Sequence, residues 1–292
     1  MEDKALKAMI SLLDDSDDSV YHEIRDKLLN IGYPAIQALE DVWENTFNNL
    51  LQTRIEEIIQ QIQFNSVIQE LRQWVQEGGI DLLQGALLIA RYQYPDLDED
   101  QVRRSIDLIK KDVWLELNPN LTAYEKVRVI NHILFDVHGF SGNTTNYHAP
   151  QNSYINNVME SKKGNPLLLS LIYSIIAQGL SIPIYGVNLP DHFVLAYLDE
   201  YGLSSQKEDQ QAILFYINPF SRGAVFSRAE IDNFLKQLQL SPEKIYYETC
   251  SNIDIIKRLV RNLINAYEKL GYPQKVQDMN KLYAVIAETE ED

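Results

Sequence analysis

Apolar residues in the first third of the chain recur at helical spacing. Val20, Ile24, Leu28 and Ile31 fall four, four and three apart behind Ser19, a residue suited to capping a helix start. Gly32 and Pro34 punctuate that stripe, and Ile36, Leu39 and Trp43 then share a face. Leu51, Ile55, Ile58, Ile59 and Ile62 make a third stripe. Val67, Leu71, Trp74 and Val75 make a fourth, which Gly78 and Gly79 close. The pattern predicts short amphipathic helices joined by tight turns. The stretch from Leu12 to Leu39 reads as one HEAT-type helical pair, without a clear second copy.

Two further helices are predicted over Asp98–Leu117 and Thr122–Val137, the second opened by a Thr122/Glu125 capping box. A polar, turn-rich run of 15 residues, Gly139–Ser153, follows, and loops of that length are often functional. A helix from about Ser153 to Lys162 and an uncharged one from Pro166 come next. The period then changes. Ile182–Asn188, His192–Leu198 and Ile213–Ile217 are rich in Ile, Val, Tyr and Phe and read as strands, with Tyr201–Gln211 as a hairpin loop. A Ser227/Glu230 capping box starts a helix to about Leu240, Lys244–Glu248 reads as one more strand, and Ile253–Leu270 and Pro273–Ala287 are helices either side of Gly271. Helices followed by consecutive strands predict an α+β fold with a largely antiparallel sheet.

Charge narrows the function. Of 292 residues, 42 are Asp or Glu and 26 Lys or Arg, a net charge of −16. Phosphate neutralisation needs clustered cations, so nucleic-acid binding and attachment to anionic membranes are not expected. No charge occurs from Gly164 to Pro190, but the apolar core Pro166–Ala177 would rise only about 18 Å, against ~30 Å of bilayer hydrocarbon. The opening MEDKALKAMI lacks the pattern of a signal peptide, so a cytoplasmic protein is expected. The lone cysteine, Cys250, excludes a disulfide framework or a Cys-based zinc site within one chain. No metal is expected either: a site needs three or four convergent ligands, and of His148, Asp191 and His192 only the last two are adjacent. The sequence has no phosphate-binding glycine loop and no HExxH or GxSxG motif, so no cofactor is implied.

His192 has the most informative context. It lies in Pro190-Asp-His-Phe193, after Asn152-Ser-Tyr-Ile-Asn156 and Lys163-Gly-Asn-Pro166 and before Asn218-Pro-Phe220. In order and spacing, across roughly Leu121–Ser227, these four motifs resemble the transglutaminase-like superfamily, specifically its bacterial SirB-like branch. The resemblance implies a papain-like core over 119–249 and a tetratricopeptide-like hairpin over 250–292, behind the helical HEAT-like region read over 1–118. In active members a Cys at the start of the central helix, a His on one strand and an Asp on the next form the site. The helix end and the imidazolium lower the thiol pKa, and the third group orients the ring. The Gly-x-Cys spacing of those enzymes puts the Cys position at Pro166, which has no nucleophilic atom, as is typical of the nearer branch. Two departures from that branch are Asp191, where it has Gly, and Asn218, where it has Asp. The degenerate triad is therefore Pro166, His192 and Asn218, and the resemblance implies a catalytically inactive protein with an interaction or regulatory role and a protein or peptide partner.

The alternative is a peptidase or amidase using His192 with a relocated nucleophile, for which Ser170, one helical turn beyond Pro166, and Cys250 are candidates. Groove candidates for a peptide or small polar ligand are Asn146, Tyr147, His148, Asn152 and Asp191, with Asn143 beside them; capping and turn roles compete for the asparagines. His132 and Asp136 are one turn apart and suit a solvated pair, while His138 sits near its helix end, where a partly charged imidazole is favourable.

Overall fold

The structure, a computed structural model, describes residues 3–199 and 213–288. The expected hairpin loop Tyr201–Gln211 lies outside the described residues. The chain divides into two compact units, Met1–Arg72 and Gln73–Asp292.

The first unit is helical: α1 (Asp3–Ile10), α2 (Asp18–Ile31), α3 (Ile36–Asn45) and most of α4 (Asn49–Gln76). Asp17, not Ser19, caps α2; its carboxylate accepts from the Ser19 N–H and hydroxyl. Gly32, at φ 70°, ends the helix in a conformation that costs a β-carbon. The third and fourth stripes belong to one 28-residue helix, because no Gly or Pro interrupts the chain before Gly78. Ile10, Leu13, Leu28, Leu39 and Ile55 are fully buried where the apolar faces meet. Arg54 ties the α1–α2 connection to α4: Nη1 donates to the Leu13 and Asp15 carbonyls at 2.7 and 3.0 Å, and the guanidinium covers the Tyr21 ring.

In the second unit α5 (Leu82–Gln93) and α6 (Glu99–Glu116) begin at Asp81 and Asp98, whose carboxylates cap them. α7 (Ala123–Asn131) has the expected Thr122/Glu125 capping box and continues into a π-helical turn, His132–Val137. The polar run holds β1 (Ser141–Gly142), which pairs in parallel with β2 (Lys163–Gly164) beyond α8 (Ile155–Ser161). α9 (Pro166–Gly179) is the central helix, buried on nearly every face, with Leu168, Leu171, Tyr173 and Ile176 at 1% exposure or less. It packs on β3 (Ile184–Val187) and β4 (Val194–Leu198), which continue into β5 (Ile213–Asn218) and β6 (Ala224–Phe226) as an antiparallel sheet in chain order. α10 (Arg228–Gln237) follows its Ser227/Glu230 capping box, and α11 (Asn252–Leu270) and α12 (Pro273–Ala287) form the closing helical pair around Gly271, at φ 75°. The α+β reading holds.

The expected strand at Lys244–Glu248 is instead a 3-10 turn at Lys244–Tyr246. The place beside β5 is already taken by β6, which the sequence pattern did not reveal. The aromatics of the turn serve the sheet through side chains: the Tyr216 hydroxyl donates to the Tyr247 carbonyl, and the Tyr247 hydroxyl to Asp232. α5 is likewise hidden from the sequence pattern. Its residues Leu82, Leu83 and Gly85–Ala90 are buried, so no polar stripe marks its period. Beside α5, the Trp74 indole donates to the Asp81 carbonyl at 2.7 Å and lies against Gly79 and Gly85, where a β-carbon would strike it.

Candidate functional site

Pro166 opens α9 at the position where a missing N–H is no loss. Asn165 is the cap. Its side-chain oxygen accepts from Leu168 N–H at 2.8 Å, and its amide nitrogen donates to Ser153 Oγ at 2.8 Å. Between β3 and β4 the chain turns through Pro190–Phe193, with Asp191 in the left-handed region at φ 53°. That region favours Gly, with Asn and Asp next, so Asp191 replaces the branch's Gly at modest cost. His192 therefore belongs to the turn, and the strand begins at Val194.

Asn218 ends β5 and faces the ring. Its Oδ1 accepts from Ser221 N–H at 3.3 Å, capping the turn Pro219–Ser221. With the oxygen so engaged, Nδ2 is the atom 3.2 Å from His192 Nε2 and donates to it. Nε2 is then an acceptor, and the proton of the neutral ring sits on Nδ1. Burial, with a smaller contribution from the Arg258 cation, lowers the His192 pKa below its ordinary value and keeps the ring neutral.

Pro166 and His192 line one cavity of about 440 Å³. Tyr147, His148 and Asp191 of the groove candidates line it too, whereas Asn146 and Asn152 do not. Asn152 is spent inside the loop: its amide nitrogen donates to the Asn146 and Tyr147 carbonyls at 2.6 and 3.1 Å, and its oxygen accepts from Asn143. That network presents Tyr147, whose ring stands edge-on to Phe220 and His148. His132 pairs with Asp136 at 3.2 Å, and His138 bonds Asp112 at 2.8 Å. Sequence reasoning missed two contributors. Ser153 brings a hydroxyl, its signal being its place in the Asn152–Asn156 motif, and α11 brings Arg258, Arg261, Asn262, Asn265 and Lys269, whose helical spacing was readable.

Among the described residues no hydroxyl or thiol bonds either nitrogen of His192. Ser170 is fully buried, and its hydroxyl has no hydrogen-bond partner there. Cys250 does not line the cavity; its N–H donates to the Gly186 carbonyl, and burial pushes its thiol up to about 12. No cluster of three His, Cys, Asp or Glu suited to a metal ion occurs among the described residues.

Residues 100–261, more than half of the chain, fit the model of the transglutaminase-like superfamily, and the chain belongs to that superfamily. A UPF0162 protein of Xylella fastidiosa is 37% identical over 126 residues, 41% of this chain and 43% of that protein. F-box only protein 21 of Mus musculus is 28% identical over 148 residues, 51% of this chain and 23% of that protein. A UPF0162 protein of Vibrio cholerae is 22% identical over 156 residues, 53% and 54% of the two chains. The chain thus spans less than half the length of the Xylella relative it matches. No solved structure matches it. Among the described residues no helix is long and apolar enough to cross a membrane.

Proposed function

We propose that this chain is a non-catalytic transglutaminase-like protein that uses its cavity to hold a protein or peptide partner. The observation that carries the reading is Pro166, a saturated ring at the position where active relatives carry the thiol, lining the same cavity as His192. A second supports it. A general base needs a free lone pair within reach of a proton, and the one on Nε2 is engaged by Asn218. In this reading the core is 119–249, flanked by a HEAT-like region over 1–118 and a tetratricopeptide-like pair over 250–292 that add interaction surface, and the protein works in the cytoplasm. Assays of the purified chain for amidase, peptidase and acyl-transfer activity test it. No turnover is expected, and turnover abolished by His192→Ala would overturn it.

A second reading, a peptidase or amidase with a relocated nucleophile, draws on the Ser153 hydroxyl at the cavity. That hydroxyl accepts from Asn165 and is not bonded to the imidazole. Covalent labelling by an acyl-trapping reagent, lost on Ser153→Ala, would favour this reading. Absence of labelling is the outcome expected from a binding groove.

A further inference from the structure

α11 has two faces. Ile255, Ile256, Leu259, Val260, Leu263 and Tyr267 are buried, while Arg258, Arg261, Asn262, Asn265 and Lys269 recur at i, i+3, i+4, i+7 and i+11 and line the cavity. Among the described residues Asp191 is the single acidic one in that lining, against three cations from α11. The local balance is thus opposite in sign to the molecule's net −16.

Two of these cations hydrogen-bond neutral partners. Arg258 Nη1 donates to Asn188 Oδ1 at 2.7 Å, and Arg261 Nη2 donates to the Tyr283 hydroxyl at 2.6 Å; both partners are neutral. Among the described residues none of the three cations sits in an ion pair. Burial, and then repulsion from Arg261, lower the Arg258 pKa, and the Asp191 carboxylate opposes them only in part. Guanidinium forks are suited to carboxylates. The first turn of α9 at the cavity adds the positive end of a 14-residue helix. From Arg258 to Lys269 the wall runs about 16 Å at ~1.5 Å per residue, the length of roughly five residues of extended chain at ~3.3 Å each.

We propose that the cavity binds an acidic peptide in extended form, its carboxylates facing Arg258, Arg261 and Lys269 of α11. The inference rests on the reading of the cavity as a binding groove and adds the chemistry of the occupant.

Fluorescence anisotropy of the full chain with fluorescein-labelled pentaglutamate tests it, with pentaglutamine and pentalysine as comparators. Non-specific attraction is opposed by the net charge, so affinity for pentaglutamate reports the local site. Pentaglutamate is expected to bind at least about tenfold more tightly than either comparator, and more weakly as salt shortens the screening length. Arg261→Glu with Lys269→Glu, both at exposed positions, is expected to weaken binding by about tenfold or more. Asp191→Asn, which keeps a residue that tolerates the left-handed turn, is expected to tighten it severalfold, so the proposal does not depend on the charge-reversal variant folding. Equal affinity for pentaglutamine, no binding of pentaglutamate at about 1 mM, or indifference to Asp191→Asn would overturn it. Turnover of a substrate would instead overturn the non-catalytic reading and leave the acidic preference standing.

Discussion

Asn218 and His192 are joined by a contact whose polarity follows from a single atom. A carboxylate at 218 could cap the Pro219–Ser221 turn with one oxygen and accept an N–H from the imidazole with the other. The amide uses its only oxygen on Ser221 and offers a donor to the ring. Asn218→Asp is therefore expected to raise the His192 pKa, because a neighbouring negative charge favours the protonated ring. Imidazole titration by NMR would read the shift, and an unchanged midpoint would refute the contact. In the wild type the shift runs the other way, since burial holds the folded value below the ordinary 6.5. Between those two values the unfolded chain binds more protons than the folded one, so stability rises with pH there. The contribution is complete above about pH 6.5 and is lost as pH falls through the folded value. Denaturant unfolding of wild type and His192→Gln at matched pH values should show the smaller acid-side loss in the variant. Parallel curves would mean that the ring is not buried neutral. Position 166 was readable from sequence because a motif spacing fixed it. The donor role of Asn218 was not, because it depends on Ser221, a residue with no motif of its own.

Among the elements, α11 is held to the rest of its unit by tyrosines. The Tyr267 hydroxyl lies 2.6 Å from that of Tyr154 and donates to Gln93 Oε1 at 3.1 Å, joining α11 to the segment before α8 and to α5. Both rings are nearly sealed, at 2% and 3% exposure, so a hydroxyl stranded there has no water to turn to. Tyr267→Phe is expected to destabilise the fold by about 1–3 kcal/mol, the usual cost of an unsatisfied buried polar group. Thermal or denaturant unfolding would measure it, and a loss near zero would show that Tyr154 finds another partner. Elements were legible where one face met solvent. The capping boxes at Thr122 and Ser227 and the stripes of α2 and α3 announced themselves, whereas α5, buried almost throughout, carried no alternation to read. Lys-Ile-Tyr-Tyr-Glu at 244–248 had strand composition, but its neighbours in the sheet, which decide pairing, lie far away in sequence. The polar stripe of α11 was visible as a pattern; its destination was not, because nothing local tells a helix face that it will border α9.

At the scale of the molecule, a net charge of −16 and a cavity lined by three cations of α11 coexist. The wall of that cavity has a natural witness. Trp74 lies 5% exposed between Gly79 and Gly85, where added β-carbons would also meet Ile253 and Ile256 of α11. Trp43 and Trp114 are 37% and 63% exposed. With Trp43→Phe and Trp114→Phe in place, the remaining indole is expected to emit at the short wavelengths of an apolar site. Its emission should move to the red when the second unit unfolds, and a spectrum already red in the native protein would contradict the packing. A chromophore behind the α11 wall of the cavity gives the molecule a built-in optical signal, so displacement of α11 could be followed by light, without any attached dye.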